Sequence, residues 1–455
     1  MTDIAEQPTD TAVEVRGITR AKAPEPDLSG AAITGDRYWS PEWAQREADA
    51  LWTRVWQVAG RVDQVPEPGD YVTYEVGRDS VIAVRGTDQR IRVFYNVCQH
   101  RGNRLVTAEV GSLVTGEFQC AYHGWRFGDN GRLNWVPDED DFTQGSPCGE
   151  RNLVELQSDT WAGFIWFNMD DACEPLRTWL DPVAEHLDAY QMENMKRTHW
   201  VTVEGEFNWK CVQDNFNESY HLPYVHPQTI PAMNEHHTGS QFDLYPSGHA
   251  RMLMPGGGPG PHYTGKPDRT LKSLGADIAF WEVDADAYRD DVHSLRGALQ
   301  QAKRTLGTSK GYDFSRYSDE QLTDNYHYTV FPNISFSMKP DGCIWLRATP
   351  HPTDPQKCHF DMWYLTLFPE GSKEYYSNSM KDWVSIDHQV EHQTGRAGEV
   401  SCGPGIDQDV AIWDTQQQGL RSRGYRGEYS PRQERRIQFF HDNVQRYLDM
   451  GPLDG

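Results

Sequence analysis

Four residues in the first third of the chain have the types and the spacing of metal ligands. Cys98 and His100 are followed, after nineteen intervening residues, by Cys120 and His123, and each pair comes after a run of strand-forming residues. Two turns at the end of one sheet can offer two thiolates to one iron of a [2Fe–2S] cluster and two neutral imidazoles to the other. A zinc ion is the alternative, but zinc fingers pair Cys with Cys and His with His along the chain.

A second pair of candidate ligands lies in the segment NWKCVQDNFNESYHLPYVHP, where His221 and His226 stand five residues apart. We expect Pro223 to end the preceding helix, which places His226 on a new turn. Two imidazoles and one carboxylate on one face of Fe(II) leave positions open for dioxygen and substrate. Two isolated histidines are more often structural residues, so the pair alone does not establish a metal site.

The sequence segments around both pairs resemble those of one family, the large catalytic subunits of Rieske non-haem iron ring-hydroxylating oxygenases. CQHRGNRL and CAYHGWRFGDNGRL closely resemble its Rieske motif, and Asn-Trp-Lys followed by Asn-Phe-x-Glu-x-Tyr-His-x4-His resembles its iron-binding segment. The resemblance is strong over about residues 40–170 and 195–230 and moderate over 405–450. It implies an α+β fold in which a Rieske [2Fe–2S] antiparallel β domain precedes a helix-grip (START-like) catalytic domain with a curved antiparallel sheet.

The resemblance also implies a third iron ligand, for which two stretches compete. The family's carboxylate is followed by an acid five residues on and then by Gln-x-Gly, a pattern that is met here by Asp409, Asp414, Gln417 and Gly419. The alternative is Asp387, which neighbours His388 and His392 on a predicted helix. We favour Asp409 and interpret the two neighbouring histidines as a solvated or structural pair.

An acid three residues before the first histidine bridges the iron to a cluster histidine of the neighbouring subunit in family members. This chain has Glu218 there, where many members have Asp, and spacing predicts that Glu218 and His221 share one helical face. Asp214, one turn earlier, could share this catalytic role. Its plainer interpretation, a charge on a helix face, is the one we prefer.

Composition and charge limit the classes of partner. The net charge of −24 argues against nucleic acid, which requires clustered Lys and Arg. No apolar run approaches the roughly 20 residues of a membrane-spanning helix, and the amino terminus has neither the basic start nor the apolar stretch of a signal peptide. A cytoplasmic location is therefore expected. Eight cysteines in such a chain are too sparse for a disulfide scaffold.

The pattern of apolar residues predicts three regions. Residues 1–38 are polar and without periodicity, which is typical of a mobile arm. Residues 39–170 open with a helix after Ser40-Pro41 and continue as short β-type runs, VWQVAG, DYVTYEV, SVIAVRG and RIRVFYNV, which we assign to the Rieske domain. Residues 171–455 mix helices with longer strands and form the predicted iron domain. Their last helix carries one apolar face.

The implied activity is that of a terminal oxygenase. A homotrimer arranged head to tail is implied, in which each cluster serves the iron of the next chain. Electrons would come from NAD(P)H through a ferredoxin or reductase, which is a separate protein because the chain carries no flavin or nicotinamide motif. The resemblance does not decide whether a small second subunit joins this trimer.

We favour cis-dihydroxylation of an aromatic or similarly apolar substrate by O₂. The alternative is a monooxygenase or demethylase that acts on a methyl, methoxy or quaternary amine group. A protein of another class, a pure electron carrier, would not need the second ligand set. The apolar residues expected in the substrate pocket are Met233, Phe280, Phe331, Phe336 and Trp345.

Overall fold

A computed structural model describes residues 22–377, 380 and 382–453 of the protein. The predicted arm, residues 1–38, lies largely outside the described residues, and its remainder, residues 22–38, runs along the C-terminal domain. The backbone N–H of Ser29 donates to Asp442 at 2.9 Å, and that of Ala23 donates to Asp243 at 2.8 Å. Tyr38, at the end of a 3₁₀ turn (Gly35–Tyr38), is buried in the main core.

The N-terminal domain consists of short antiparallel strands. They are β1 (Gln57–Arg61), β2 (Asp70–Val76), β3 (Asp79–Arg85), β4 (Ile91–Tyr95), β5 (Val110–Ser112), β6 (Glu117–Gln119), β7 (Arg126–Gly128), β8 (Leu133–Trp135), β9 (Glu155–Trp161) and β10 (Phe164–Asn168). Seven form one sheet in the order β1-β10-β9-β4-β3-β2-β5, and β6-β7-β8 form a separate small sheet. The four runs that the sequence indicates as strands coincide with β1 to β4, which confirms that part of the prediction.

The C-terminal domain is organised around one large sheet. Its strands are β11 (Lys196–Gly205), β12 (Gln241–Leu244), β13 (Ala250–Met254), β14 (Asn325–Val330), β15 (Ile334–Lys339), β16 (Gly342–Pro350), β17 (Cys358–Thr366) and β20 (Gln393–Gly395), and β18 (Glu374–Ser377) and β19 (Asp382–Ser385) form a separate hairpin. The order is β12-β13-β14-β15-β16-β17-β11-β20, and the pairing is antiparallel except between β11 and β20. The sheet curls into a half-barrel, as the predicted α+β fold requires.

The described residues also form ten α-helices. They are α1 (Pro41–Arg46), α2 (Leu176–Leu180), α3 (Val183–Leu187), α4 (Trp209–Phe216), α5 (Leu222–Val225), α6 (Pro267–Ser273), α7 (Gly275–Phe280), α8 (Leu295–Leu306), α9 (Pro404–Leu420) and α10 (Arg435–Asp449). A π-helical turn (Glu47–Leu51) continues α1. Of these helices, α4 contacts β16, β17 and α9. The predicted C-terminal helix is α10, and it buries its apolar face.

Aromatic rings join the two domains. Phe164 of β10 stacks on Trp345 and Trp363, with ring centroids 5.5 and 6.0 Å apart, and meets Phe336 edge-on. The prediction that Phe336 and Trp345 line a substrate pocket is therefore wrong. Alternate residues of a strand point to opposite faces of a sheet, and these two face the N-terminal domain rather than the helices.

No helix of the described residues is both long and apolar enough to cross a membrane. All eight cysteines lie in the described part of the chain, and each is a free thiol.

Candidate metal centres

The first candidate centre is formed by two turns of the same design. The Cys98 N–H donates to the carbonyl of Asn103 and the Cys120 N–H to that of Trp125, at 2.8 and 2.9 Å. In each turn the glycine, Gly102 or Gly124, has a φ of +73°. A Cβ at Gly102 would meet no protein atom within 4 Å. At Gly102 it is therefore the left-handed conformation, and not a close approach, that requires glycine.

These turns bring the four predicted ligands together. The Cys120 thiol is near enough to contribute to the raised pKa of the buried Cys98 thiol, and the rings of His100 and His123 lie 4.6 Å apart between centroids. The Nδ1 atoms of both histidines are buried and have no hydrogen-bond partner among the described residues. Two unpartnered ring nitrogens beside two buried thiols fit a metal group that takes all four as ligands.

The surroundings of this centre are apolar and aromatic. The ring of Trp125 stacks on that of His100 at 4.7 Å, with 10° between the planes. Burial raises the pKa of the Cys98 thiol to about 11, against the opposing effect of the His100 backbone N–H. A raised pKa keeps the thiol protonated near neutral pH in the absence of a metal, so metal loading is coupled to proton release. Trp125 belongs to the motif quoted from the sequence, but its stacking on His100 was not predicted.

The second candidate centre gathers two imidazoles and one carboxylate. The ligand atoms of His221, His226 and Asp409 all lie within 4.8 Å of one another. Asp409 Oδ1 is 2.8 Å from His226 Nε2 and 3.6 Å from His221 Nε2. Both imidazoles thus point at the same carboxylate oxygen, and Asp409 is only 2% exposed. Two nitrogens and one oxygen that converge from one side form the facial donor set of non-haem Fe(II).

The local structure around the histidines differs from the prediction. Helix α4 ends at Phe216, and Pro223 lies in the first turn of α5, where proline is tolerated. His221 is the N-cap residue of α5 and His226 is its C-cap residue. The idea that Pro223 ends the preceding helix is therefore wrong, but one short helix still holds the two imidazoles at its ends.

The other nitrogen of each imidazole is held by a neighbouring acceptor. His221 Nδ1 contacts Glu218 Oε1 at 2.5 Å, and His226 Nδ1 contacts Gln408 Oε1 at 2.9 Å. Such contacts leave both Nε2 atoms available for the metal. Burial opposes protonation of His226, but hydrogen bonds to Asp409 and Gln408 outweigh it and raise the pKa of this histidine. Gln408 was not predicted from the sequence, where its only signal is its place beside Asp409.

The two acids that we considered for a catalytic role from the sequence have different environments. Glu218 lies in the turn after α4 rather than on a helical face, and its carboxylate accepts from the backbone N–H groups of Tyr220 and His221. Asp214 lies on α4 and is buried, and its carboxylate contacts Tyr38 and His441 instead of an iron ligand. Asp214 therefore lies on a helix face, as in the interpretation that we preferred, but that face is buried.

The competing carboxylate lies elsewhere. Asp387 forms an exposed ion pair with Lys196, and its side chain is 80% exposed. His392 stacks on Trp200 with 4.0 Å between ring centroids and contacts Thr202. Residues 386–392 form no helix, contrary to our expectation for this stretch. The structure brings Asp409, and not Asp387, to the two histidines.

The histidine segment borders a small apolar cluster. Leu222, directly after His221, packs with the apolar side chains of Met233, Phe242, Met252 and Met254. Among the other residues expected in a pocket, Phe331 stacks on Tyr447 of α10 and Phe280 is 48% exposed beside Trp281. Only Met233 of the five predicted pocket residues lies in this cluster.

Together, the two donor sets and the fold define a class of protein. A domain of antiparallel strands that offers two thiols and two imidazoles is joined to a helix-grip domain that offers two imidazoles and a carboxylate. The first set suits a [2Fe–2S] cluster that transfers single electrons, and the second suits an Fe(II) ion with open positions. This combination defines a Rieske non-haem iron oxygenase.

Family models give the same assignment. Residues 55–148 match the Rieske [2Fe-2S] domain, and residues 192–450 match the catalytic domain of the ring-hydroxylating alpha subunit. The chain belongs to the family of ring-hydroxylating oxygenase alpha subunits. Its cofactors are accordingly a [2Fe–2S] cluster and a non-haem Fe(II) that uses O₂.

Characterised relatives act on different substrates. The chain is 34% identical over 419 residues to the large oxygenase component of the naphthalene 1,2-dioxygenase system of Pseudomonas aeruginosa, covering 83% of this chain and 87% of that one. It is 29% identical over 185 residues to the glycine betaine monooxygenase oxygenase subunit of Pseudomonas aeruginosa strain UCBPP-PA14, covering 41% of this chain. The match to that relative spans 42% of its length, and the match to the naphthalene dioxygenase component of Pseudomonas putida spans 43%.

Solved structures share the fold. The quaternary ammonium Rieske monooxygenase CntA, in complex with an inhibitor, aligns with a TM-score of 0.64 at 19% identity, over 91% of this chain and 95% of that one. A naphthalene 1,2-dioxygenase with indole bound aligns with a TM-score of 0.64 at 21% identity, over 93% of each chain.

Proposed function

We propose that this chain is the terminal oxygenase component of a multi-protein system and that it adds both atoms of O₂ to an aromatic ring. The observation that carries the proposal is the convergence of His221, His226 and Asp409 beside an apolar cluster. When bound, Fe(II) supplies the site where O₂ is reduced, and the cluster supplies electrons one at a time. In cis-dihydroxylation, one arene, one O₂, two electrons and two protons yield one dihydrodiol.

The side chains near the histidines favour an apolar substrate. Leu222, Phe242, Met252 and Met254 offer carbon and thioether surface, which suits an arene held by dispersion and hydrophobic contact. A quaternary amine is usually recognised by several aromatic faces arranged around the cation. This cluster contains a single aromatic ring, that of Phe242, so demethylation of a quaternary amine is the less favoured alternative.

The protein side chains have positioning roles in this reaction. Glu218 contacts His221 Nδ1, and Gln408 contacts His226 Nδ1. These contacts fix the orientation of both imidazole rings and direct each Nε2 toward the metal position. The burial of Asp409 keeps its carboxylate away from competing water. We propose that Glu218 also links this centre to the cluster of a neighbouring subunit.

Labelled dioxygen tests the proposal. The reconstituted enzyme would be incubated with ¹⁸O₂, a reductase system and separate probes, namely naphthalene, indole, carnitine and glycine betaine. A dihydrodiol that contains two ¹⁸O atoms supports the proposal. A product with one ¹⁸O atom, or formaldehyde released from an amine, would favour the monooxygenase alternative. Reduction of the cluster without O₂ uptake on any probe, in enzyme shown to hold Fe(II), would favour an electron carrier.

We propose that the functional assembly is a homotrimer or a trimer-based oligomer served by a separate ferredoxin or reductase, and that a small second subunit can join it. Aromatic and basic side chains next to the first centre support a docking role, because Tyr122 is 55% exposed and Arg101 lies over its ring at 5.5 Å. Tyr220 and Tyr224, beside Glu218 and His221, are 51% and 84% exposed. These two surfaces are suited to meet between copies of the chain.

Mixed assemblies test the trimer. Chains with Cys98→Ser, which lack a complete cluster site, would be refolded or co-expressed with chains that carry His226→Ala. If a cluster serves the iron of the next chain, the mixture recovers activity that neither variant has alone. Absence of recovery in a verified mixed trimer would restrict electron transfer to one chain.

We further propose a cytoplasmic location, since eight free thiols and a thiol-held cluster suit a reducing compartment.

A further inference from the structure

One buried tyrosine contacts both α4, the helix that precedes the two histidines, and α9, the helix that carries Asp409. Tyr38 is 2% exposed, and its hydroxyl donates to Asp214 Oδ2 on α4 at 2.5 Å. Its backbone carbonyl accepts from Gln417 Nε2 on α9 at 3.1 Å. The same hydroxyl lies 3.1 Å from His441 Nε2 on α10, which also contacts the other oxygen of Asp214 at 3.1 Å.

Gln417 extends this network to the start of α4. Its Oε1 accepts from the backbone N–H of Asn208 at 3.0 Å, and Asn208 is the N-cap residue of α4. On the same face of α9, the Trp413 ring packs against Phe216, the last residue of α4, with 5.8 Å between centroids. Helices α4 and α9 are thus in contact at both ends of α4, and Tyr38 is hydrogen-bonded to Gln417, which makes the polar contact at the first end.

The positions of these helices determine the geometry of the iron site. Helix α4 leads directly into the segment with His221 and His226, whereas Asp409 projects from α9. A small shift of α9 against α4 would move the carboxylate away from the imidazoles. Buried hydrogen bonds in a low-dielectric interior fix such relative positions more firmly than apolar contact alone.

We infer that Tyr38 is a positioning residue for the mononuclear iron site, because it fastens the helix before the two histidines to the helix that carries Asp409. The inference rests on the proposed assignment of His221, His226 and Asp409 as iron ligands. It gives a function in the iron site to a segment that precedes the Rieske domain in the chain. Tyr38 touches neither a ligand atom nor substrate and acts only through the two helices.

The neighbouring π-helical turn strengthens this attachment. Glu47 forms a buried ion pair with Lys210 at 2.6 Å and accepts from the indole N–H of Trp209 at 3.0 Å. Both partners lie in the first turn of α4. Residues 35–51 therefore hold α4 at its first turn through Glu47 and further along through Tyr38.

The test compares two buried tyrosines. Tyr38→Phe removes one hydroxyl and keeps the ring. Tyr317→Phe is the matched control, because Tyr317 is also 2% exposed and donates to the carbonyl of Ala189 at 3.0 Å, with no hydrogen bond to α4 or α9. Each full-length holoenzyme is stripped of mononuclear iron, and its Fe(II) dissociation constant is measured by competition with a colorimetric chelator. The cluster is quantified by visible absorbance.

We expect Tyr38→Phe to keep its cluster and to bind Fe(II) about 10-fold more weakly, the lower end of the range for residues outside the ligand shell. It should also release more H₂O₂ per O₂ consumed, since a displaced carboxylate uncouples reduction from product formation. Tyr317→Phe should match the wild type in both measurements. The inference is overturned if Tyr38→Phe matches the wild type, or if Tyr317→Phe shows an equal loss.

A second variant covers the case in which Tyr38→Phe does not fold. Gln417→Met removes the side-chain bonds to Tyr38 and Asn208 but leaves the tyrosine hydroxyl in place, and it should weaken Fe(II) binding to a similar degree. Unchanged binding in that variant overturns the inference. His226→Ala separates this inference from the ligand assignment, since Fe(II) binding that survives His226→Ala shows that the assignment itself fails.

Discussion

His226 Nε2 lies 2.8 Å from Asp409 Oδ1, although 183 residues separate the two in the chain. The contact is made because α5 places the histidine at its C-terminal end and α9 brings the aspartate to the same site. No local sequence pattern predicts that these two residues are in contact. The curled sheet and the contact between α4 and α9 create the juxtaposition.

Asp409 and Asp387 should respond differently to removal of their carboxylates. Asp409→Ala is expected to lose mononuclear iron and turnover while keeping the cluster, because it removes one of three donors. Asp387→Ala is the matched control and should retain both, since its carboxylate is solvent-exposed and paired with Lys196. Metal analysis and O₂ uptake measure the two outcomes. Loss of iron in Asp387→Ala with retention in Asp409→Ala would reverse the assignment.

Glu218→Gln tests whether the carboxylate does more than orient an imidazole. A glutamine oxygen can still accept from His221 Nδ1, so iron content should stay within about two-fold of the wild type. Loss of the negative charge is expected to lower kcat by about 10- to 100-fold, as for other residues that hold a metal-bound histidine. Glu206→Gln, at an exposed pair with Lys357, is the control. Equal kcat in Glu218→Gln and the control would contradict this role.

Replacement of a cluster imidazole should change the reduction potential. His123→Cys supplies a third thiolate, and thiolate donors favour the oxidised cluster over the reduced one. We expect the midpoint potential to fall from the Rieske range towards about −400 mV, the value typical of all-thiolate [2Fe–2S] centres. Voltammetry of the purified holoenzyme measures it. A variant that assembles a cluster with the wild-type potential would show that His123 is not a ligand.

The pH dependence of stability should reflect a buried neutral histidine. Burial lowers the pKa of His249 to about 4, and its Nδ1 accepts from the Phe331 N–H at 3.1 Å while Nε2 donates to the Trp179 carbonyl at 2.8 Å. The unfolded chain takes up a proton near pH 6.5 that the folded chain refuses until about pH 4. Stability contributed by this residue is therefore complete above pH 6.5 and is lost as the pH falls towards 4.

His249→Gln should flatten this dependence, because glutamine offers one donor and one acceptor without titrating. Between pH 7 and pH 5 the variant should lose about 2 kcal/mol less unfolding free energy than the wild type. Urea unfolding at the two pH values measures it. His262→Gln, at an exposed site, is the control and should follow the wild type. Parallel pH dependence in His249→Gln and wild type would contradict the account.

The sequence predicts the parts of the site whose ligands lie close together in the chain. Three pairs of ligands are local in the sequence: Cys98 with His100, Cys120 with His123, and His221 with His226. Their spacing and the residues next to them are therefore sufficient to identify them. The strands before the cluster turns are equally visible, because their apolar alternation is a local property.

Features that depend on long-range packing were not predictable. The sequence could not show that Asp214 would be buried, since a charge on an amphipathic helix is usually solvated and its partners, Tyr38 and His441, are distant in the chain. Likewise, Phe336 and Trp345 are large apolar residues of the kind that line substrate pockets. The register of the sheet places their rings against Phe164 and the N-terminal domain instead. Which face of a strand meets which neighbour is a tertiary property.

The count of iron and acid-labile sulfide per chain tests the central claim most directly. We predict about three iron atoms and two sulfides in the reconstituted wild type, and about two of each, with an unchanged visible spectrum, in His226→Ala. Zinc in place of iron in the wild type, or loss of the sulfide together with the third iron in His226→Ala, would contradict the existence of two separate centres in this chain.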